Sequence, residues 1–238
     1  MDYHNHQGNE RAYMRDIILG INDGLISTFL LTIGIYASGL SKSSILLTII
    51  SCSLSGMISM GLGEYMATKS QKEVMVAELG KEKRHIETHL EVELEQVRYF
   101  LEKELYIEDE FLVQNFIDRI QQNKQGLFNF MKKVEFGITE EDERRPWVAG
   151  LVSGFLFFLG STPTLVAFAL PITIKSSFYT SLALNGLALF IVGSGKTFMT
   201  KTLILSSGLE NLVYGSLGAV FSYAIGYFFS QHLGGDGA

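Results

Sequence analysis

Two apolar segments near the N-terminus carry side chains that have the chemistry of metal ligands. Residues 17–40 contain Asp23, and residues 44–66 contain Met60 and Glu64. Each segment is longer than the roughly 20 apolar residues that cross the hydrocarbon core of a bilayer. An ionisable group at that depth costs about 2.5–3.5 kcal/mol on insertion scales, so it is usually paired, exposed to a cavity or functional.

Asp23 and Met60 are predicted to lie at the same depth. Only three residues join the two segments, so the predicted helices run antiparallel. Asp23 follows the start of the first segment by six residues, and Met60 precedes the end of the second by six, which places both about 9 Å from the same end. Glu64 lies one turn beyond Met60 on the same helix face. A carboxylate with a thioether suits a transition metal better than calcium or magnesium, which prefer oxygen ligands.

Small residues in both segments predict that the two helices of this hairpin pack closely. Gly20 and Gly24 form a GxxxG motif in the first segment, and Gly56 and Gly61 interrupt the second. Such residues let membrane helices approach each other, which favours a shared site for Asp23 and the thioether. The alternative for a single Met in an apolar helix is core packing.

A second set of candidate ligands lies in the charged middle of the chain. Its members recur every three or four residues, which places them on one face of a predicted helix over about five turns. In a later helical segment, Met131 and Glu135 stand one turn apart. The alternative interpretation of the set is a solvated acidic face. The set consists of Glu78, Glu82, His85, His89, Glu93 and Gln96.

Glu82 and His85 also form an E-x-x-H motif. Ferritin-like di-iron bundles use two such motifs and two further Glu residues on facing helices. This chain has one E-x-x-H motif whose helix face carries further side chains able to bind a metal. A membrane-anchored iron-binding protein or ferroxidase is therefore the weaker hypothesis. Transport, without enzymatic chemistry, is the stronger one.

Charge divides the chain into apolar ends and a charged middle. Of its 25 acidic and 19 basic residues, 18 and 13 fall within residues 67–146. The net charge of −6 therefore comes mostly from this part, which argues against nucleic acid as a partner. The single cysteine, Cys52, lies in an apolar segment, which excludes an intrachain disulfide and a thiolate zinc cluster. We expect no prosthetic group.

Helices must position all of these residues. The sequence predicts an all-α polytopic membrane protein with five transmembrane helices and a helical insert between the second and the third. In the insert, a long helix continues the second span, a second helix carries Phe111, Phe116 and Ile120 at helical spacing, and a third ends near Gly137. Thr139 is expected to cap the segment that enters the third span.

The chain is predicted to divide into five parts. Lys and Arg residues near the span ends favour a cytosolic N-terminus and a cytosolic insert. The parts are a tail at 1–16, the hairpin at 17–66, the insert at 67–145, spans three to five within 146–231, and a tail at 232–238.

Three stretches resemble the vacuolar iron transporter family, whose members export ferrous iron, and often manganese, from the cytosol. They are RDIILGINDGLISTFLLTIG, SMGLGEYMATKSQKE and SSGLENLVYGSLGAVFSYAIG, and they cover the first, second and fifth spans. The resemblance implies a homodimer with a translocation path between the two first spans, and antiport with protons. The bilayer would be the cell inner membrane in a bacterium, or a vacuolar or other endomembrane in a eukaryote.

The same resemblance assigns the ligands. It implies that Asp23 and Met60 bind the transported ion. His85 and Gln96 depart from the family pattern, because Glu is expected at both positions. Imidazole favours iron, zinc, copper or nickel, so the departure bears on metal preference. The residues that match the family's cytosolic metal-binding domain are Glu82, Glu93, Met131 and Glu135.

Overall fold

Helices make up nearly all of the computed structural model, which describes residues 8–135, 137, 144–197 and 203–233. Residues 1–7, Thr139 with its predicted cap, and the last five residues lie outside the described part. The helices are α1 Gly8–Ala37, α2 Lys42–Thr88, α3 Leu90–Tyr99, α4 Glu110–Gln121, α5 Lys124–Val134, α6 Pro146–Ala169, α7 Ile174–Gly195 and α8 Ile204–Leu233.

Five of the described helices, α1, α2, α6, α7 and α8, are long and apolar enough to cross a membrane. The prediction of an all-α polytopic membrane protein is confirmed. The first helix is longer than its membrane span: α1 starts at Gly8, whereas its apolar span begins at Ile17. Residues 8–16 contain no proline, so nothing in them ends a helix before the apolar segment begins.

The hairpin glycines that the sequence analysis singled out pack against α6, which corrects the expectation that they bring α1 and α2 together. A Cβ at Gly24 would lie 2.7 Å from the carbonyl carbon of Phe157. On α2, a Cβ at Gly61 would lie 3.1 Å from the oxygen of Gly150, and one at Gly154 of α6 would lie 2.6 Å from the oxygen of Met57. Both arms therefore approach the third span at backbone distance, as small residues permit.

Buried polar side chains join the remaining spans. Asn185 of α7 is fully buried, accepts a hydrogen bond from Thr164 of α6 at 3.1 Å, and donates to the oxygens of Ser181. Asn211 of α8 donates to Asn22 of α1 at 3.1 Å. In an apolar environment these bonds matter because each unpaired polar group would otherwise be costly.

The insert, Ala67–Arg145, is a compact unit with its own apolar core. Asp109 caps α4 by accepting a hydrogen bond from the Phe111 amide, and Asn123 caps α5 by accepting one from the Gly126 amide. Of the apolar residues that recur at helical spacing in α4, Ile120 packs against the core, whereas Phe111 is 74% exposed. The core consists of Ile86, Val97, Leu101, Val113, Ile117, Leu127 and Met131.

The first insert helix is interrupted, whereas the sequence predicted one continuous helix. His89 leaves helical geometry (φ −134°, ψ 43°) between α2 and α3. Beyond α3, residues Phe100–Glu104 form a π-helical turn, in which the amide of Leu105 donates to the oxygen of Phe100 at 3.1 Å. The candidate ligands therefore do not share one face of one regular helix.

Candidate metal centre

Asp23 lies on an exposed face of α1, within an apolar span. The Ser27 hydroxyl, one turn along the helix, donates a hydrogen bond to its Oδ1 at 2.8 Å. The preceding residue, Asn22, accepts a hydrogen bond from Asn211, and the following residue, Gly24, is buried. Contacts on both sides of Asp23 thus fix α1, while the carboxylate itself remains accessible for an ion.

Met60 and Glu64 are half-buried on α2. Met60 precedes Gly61, whose close packing against α6 fixes this part of the helix. The contacts described within the chain do not join Asp23 to Met60, so a shared ion remains a prediction for these two side chains. What the structure establishes is that each of them lies beside a glycine that packs on α6.

In the insert, the side chains of Glu82, His85 and Glu93 converge, and we call these three residues the insert cluster. One ligand atom from each lies within 4.8 Å of the other two. His85 Nδ1 is 3.5 Å from Glu93 Oε1. Two of the three come from α2 and the third from α3, so the interruption at His89 lies between them. His89 itself is exposed, and its ring contacts the Thr88 hydroxyl at 2.7 Å.

The two carboxylates of the insert cluster are buried, whereas its imidazole is open to solvent. Glu82 is 5% exposed and Glu93 is 1% exposed, but the His85 side chain is 60% exposed. Within the described part of the chain, Glu82 Oε1 and Glu93 Oε2 have no hydrogen-bond partner. Buried carboxylate oxygens are ordinarily paired or coordinate a metal, so these two atoms fit the ligand role.

The pKa values of carboxyl groups at this site also fit a role in binding a metal ion. Burial, followed by the neighbouring Glu93 carboxylate, raises the pKa of Glu82 to about 7. Burial and the Glu93 carboxylate also raise the pKa of Glu135. Like charges held together without a cation disfavour ionisation, and a divalent cation among them would reverse that effect.

Three of the other predicted ligands of the insert line an adjoining cleft of about 430 Å³. Gln96, Met131 and Glu135 line it, and Met131 is also part of the apolar core. Sequence reasoning missed Tyr99 and Glu104, which line the same cleft. A search restricted to α-helical spacing does not find Glu104, because it is the last residue of the π-helical turn.

A model of the VIT family matches residues 14–227, which include the first four candidate spans, the insert and most of the fifth span. The chain belongs to the VIT family. The predicted family resemblance is confirmed, and relatives with names that state an activity agree with it. Vacuolar iron transporter 1 of Tulipa gesneriana is 29% identical over 89% of this chain and 85% of its own length.

Two further relatives are similar over comparable lengths. Vacuolar iron transporter 1 of Arabidopsis thaliana is 27% identical over 89% of this chain and 84% of its own length. Protein CCC1 of Saccharomyces cerevisiae is 29% identical over 96% of this chain and 71% of its own. The relatives from Tulipa gesneriana and Arabidopsis thaliana are transporters by name, in agreement with the prediction that the chain is a transporter and not an enzyme.

Proposed function

We propose that this VIT-family protein transports ferrous iron, with manganese as a second substrate, out of the cytosol in exchange for protons. The observation that carries the proposal is the insert cluster, in which two buried carboxylates have unpaired oxygens beside an imidazole. This donor set suits a first-row transition metal. The names of the relatives supply the transported ion.

In the proposed mechanism, the cytosolic insert collects the ion and the membrane spans carry it. Asp23 provides an anionic oxygen ligand and Met60 a neutral sulfur ligand, with Glu64 one turn away at the cytosolic end. Two copies of the chain would line the path with their first spans, because Asp23 is exposed on α1. The membrane is the inner membrane in a bacterium and the vacuolar or another endomembrane in a eukaryote.

Proteoliposomes loaded with a pH-sensitive dye test the transport proposal. Addition of Fe²⁺ under anaerobic conditions should produce metal flux and an opposite proton flux in the wild type. Asp23→Ala should abolish both fluxes, whereas Asp23→Glu, which keeps the carboxylate, should retain part of them. Met60→Ala should lower the flux of Fe²⁺ relative to that of Mn²⁺. Wild-type flux by Asp23→Ala would refute the role of this carboxylate.

Oxygen consumption separates transport from the ferroxidase alternative. A ferroxidase would consume oxygen when Fe²⁺ is added, and a transporter would not. The insert cluster contains one E-x-x-H motif, Glu82 with His85, and Glu93 is its third member. Oxygen uptake that disappears in Glu93→Gln would favour the alternative.

A further inference from the structure

The cleft beside the insert cluster contains one carboxylate that was not among the ligands predicted from the sequence. Glu104 lines this cleft together with Gln96, Met131 and Glu135. Its side chain is exposed, and no hydrogen bond or ion pair joins its carboxylate to another residue within the described part of the chain. Glu104 is therefore free to bind a ligand that enters the cleft from solvent.

The π-helical turn explains how Glu104 reaches the cleft. In a regular α-helix, Glu104 would lie about 80° around the axis from Gln96, because each of the eight steps turns the chain by about 100°. The bond from the Leu105 amide to the Phe100 oxygen closes a wider turn with one additional residue. The wider turn rotates Glu104 back toward the face that Gln96 occupies. Such turns are rare and occur frequently at functional sites.

Glu135 connects the cleft to the insert cluster. Its carboxylate lines the cleft, and it interacts electrostatically with both Glu93 and His85. The unpaired buried oxygens of the cluster show where an ion would be held most closely. Glu135 is therefore the residue through which the cleft and the insert cluster interact.

We propose that Glu104 is a further metal-binding residue, the outer carboxylate that binds Fe²⁺ from solvent before the ion passes to Glu135 and the insert cluster. The proposal rests on the proposed function of the insert. Gln96 and Met131 offer neutral oxygen and sulfur ligands, so they do not balance a divalent charge. Glu104 and Glu135 supply two negative charges, which balance the charge of one Fe²⁺ ion in the cleft.

Anaerobic titration of the full-length protein in detergent with Fe²⁺ tests this assignment. Glu104→Gln should weaken Fe²⁺ binding by about tenfold and should slow association measured by stopped flow. Glu104→Asp, which keeps the charge, should restore most of the association rate. Glu95→Gln is the matched control, because Glu95 is exposed on α3 and lies outside the cleft lining.

Two results would overturn the proposal. One is unchanged affinity and association rate in Glu104→Gln, and the other is an equal loss in Glu104→Gln and Glu95→Gln, which would indicate only a general effect of negative charge. Glu93→Gln tests the proposed function separately. If Glu93→Gln binds Fe²⁺ like the wild type, the insert cluster is not the metal site and the proposed function of the insert is refuted. If Glu93→Gln loses binding but Glu104→Gln does not, only the role of Glu104 is refuted.

Discussion

The Glu82→Gln substitution should stabilise the metal-free insert at pH 8 while it removes metal binding. Burial and the Glu93 carboxylate raise the pKa of Glu82 from 4.5 to about 7 in the folded protein. The folded protein therefore holds this proton more tightly than the unfolded chain does. The stability that this proton contributes is fully present below about pH 4.5 and is lost as the pH rises through about 7. Glutamine does not ionise, so the Glu82→Gln variant does not lose this stability as the pH rises.

The size of the effect follows from the two pKa values. The interval from 4.5 to about 7 corresponds to about 3 kcal/mol at 1.36 kcal/mol per pH unit. Because His85 is 60% exposed and admits solvent to the cluster, screening reduces the expected gain to about 1–2 kcal/mol. For a chain of this length, a gain of that size raises the unfolding temperature by about 2–8 °C.

Hydrogen exchange of the backbone amides in the insert core is the appropriate assay, because it reports this unit separately from the membrane spans. Wild type, Glu82→Gln and the control Glu95→Gln are compared with chelator at pH 5 and pH 8, after correction for the pH dependence of intrinsic exchange. Fe²⁺ should then protect the wild type but not Glu82→Gln. The reasoning is refuted if wild type and Glu82→Gln are equally stable at pH 8, or if the wild-type insert gains stability between pH 5 and pH 8.

Three further predictions follow from described contacts. Gly24→Ala should lower the unfolding temperature and the iron flux in liposomes, because the added Cβ would lie 2.7 Å from the carbonyl carbon of Phe157. The control is Gly63→Ala, which should alter neither quantity because no atom lies within 4 Å of the Cβ at that position. Asn185→Leu should destabilise the protein by about 0.6–1.7 kcal/mol in a detergent unfolding titration, because it removes interhelical hydrogen bonds; no loss would contradict this. His85→Glu should reduce but not abolish the decrease in Fe²⁺ affinity between about pH 7.5 and about pH 6, because it removes the ligand that must be a neutral imidazole, whereas Glu82, with a pKa of about 7, takes up a proton in both proteins; equal decreases in both proteins would exclude His85 as a ligand.

The sequence predicted the membrane spans because apolar length alone decides them. Spans three to five were expected within residues 146–231, and the corresponding helices are Pro146–Ala169, Ile174–Gly195 and Ile204–Leu233. Glu82, His85 and Glu93 were also predictable as a group, since ligand types at intervals of three and four residues are conspicuous in a helix. The burial of Glu82 and Glu93 was not predictable, because it depends on the core that α4 and α5 complete.

Other features could not be predicted because they depend on tertiary packing or on irregular backbone. No Gly or Pro marks the interruption at His89, and no residue pattern signals the π-helical turn that brings Glu104 to the cleft. The glycines of the hairpin were correctly identified as packing positions, but their partner was not. Small residues permit close approach of any helix, and only the structure shows that the partner of Gly24 and Gly61 is α6.

The packing of α6 against both α1 and α2 has a consequence for biosynthesis. The glycine faces of the first two spans have no complementary surface until the third span has been made, and the insert Ala67–Arg145 must be synthesised in between. At about 5–20 residues per second, translation of these roughly 80 residues takes about 4–16 s. Throughout that interval, the glycine faces of the nascent hairpin are exposed to lipid, to membrane-insertion chaperones, or to the same hairpin of another nascent chain.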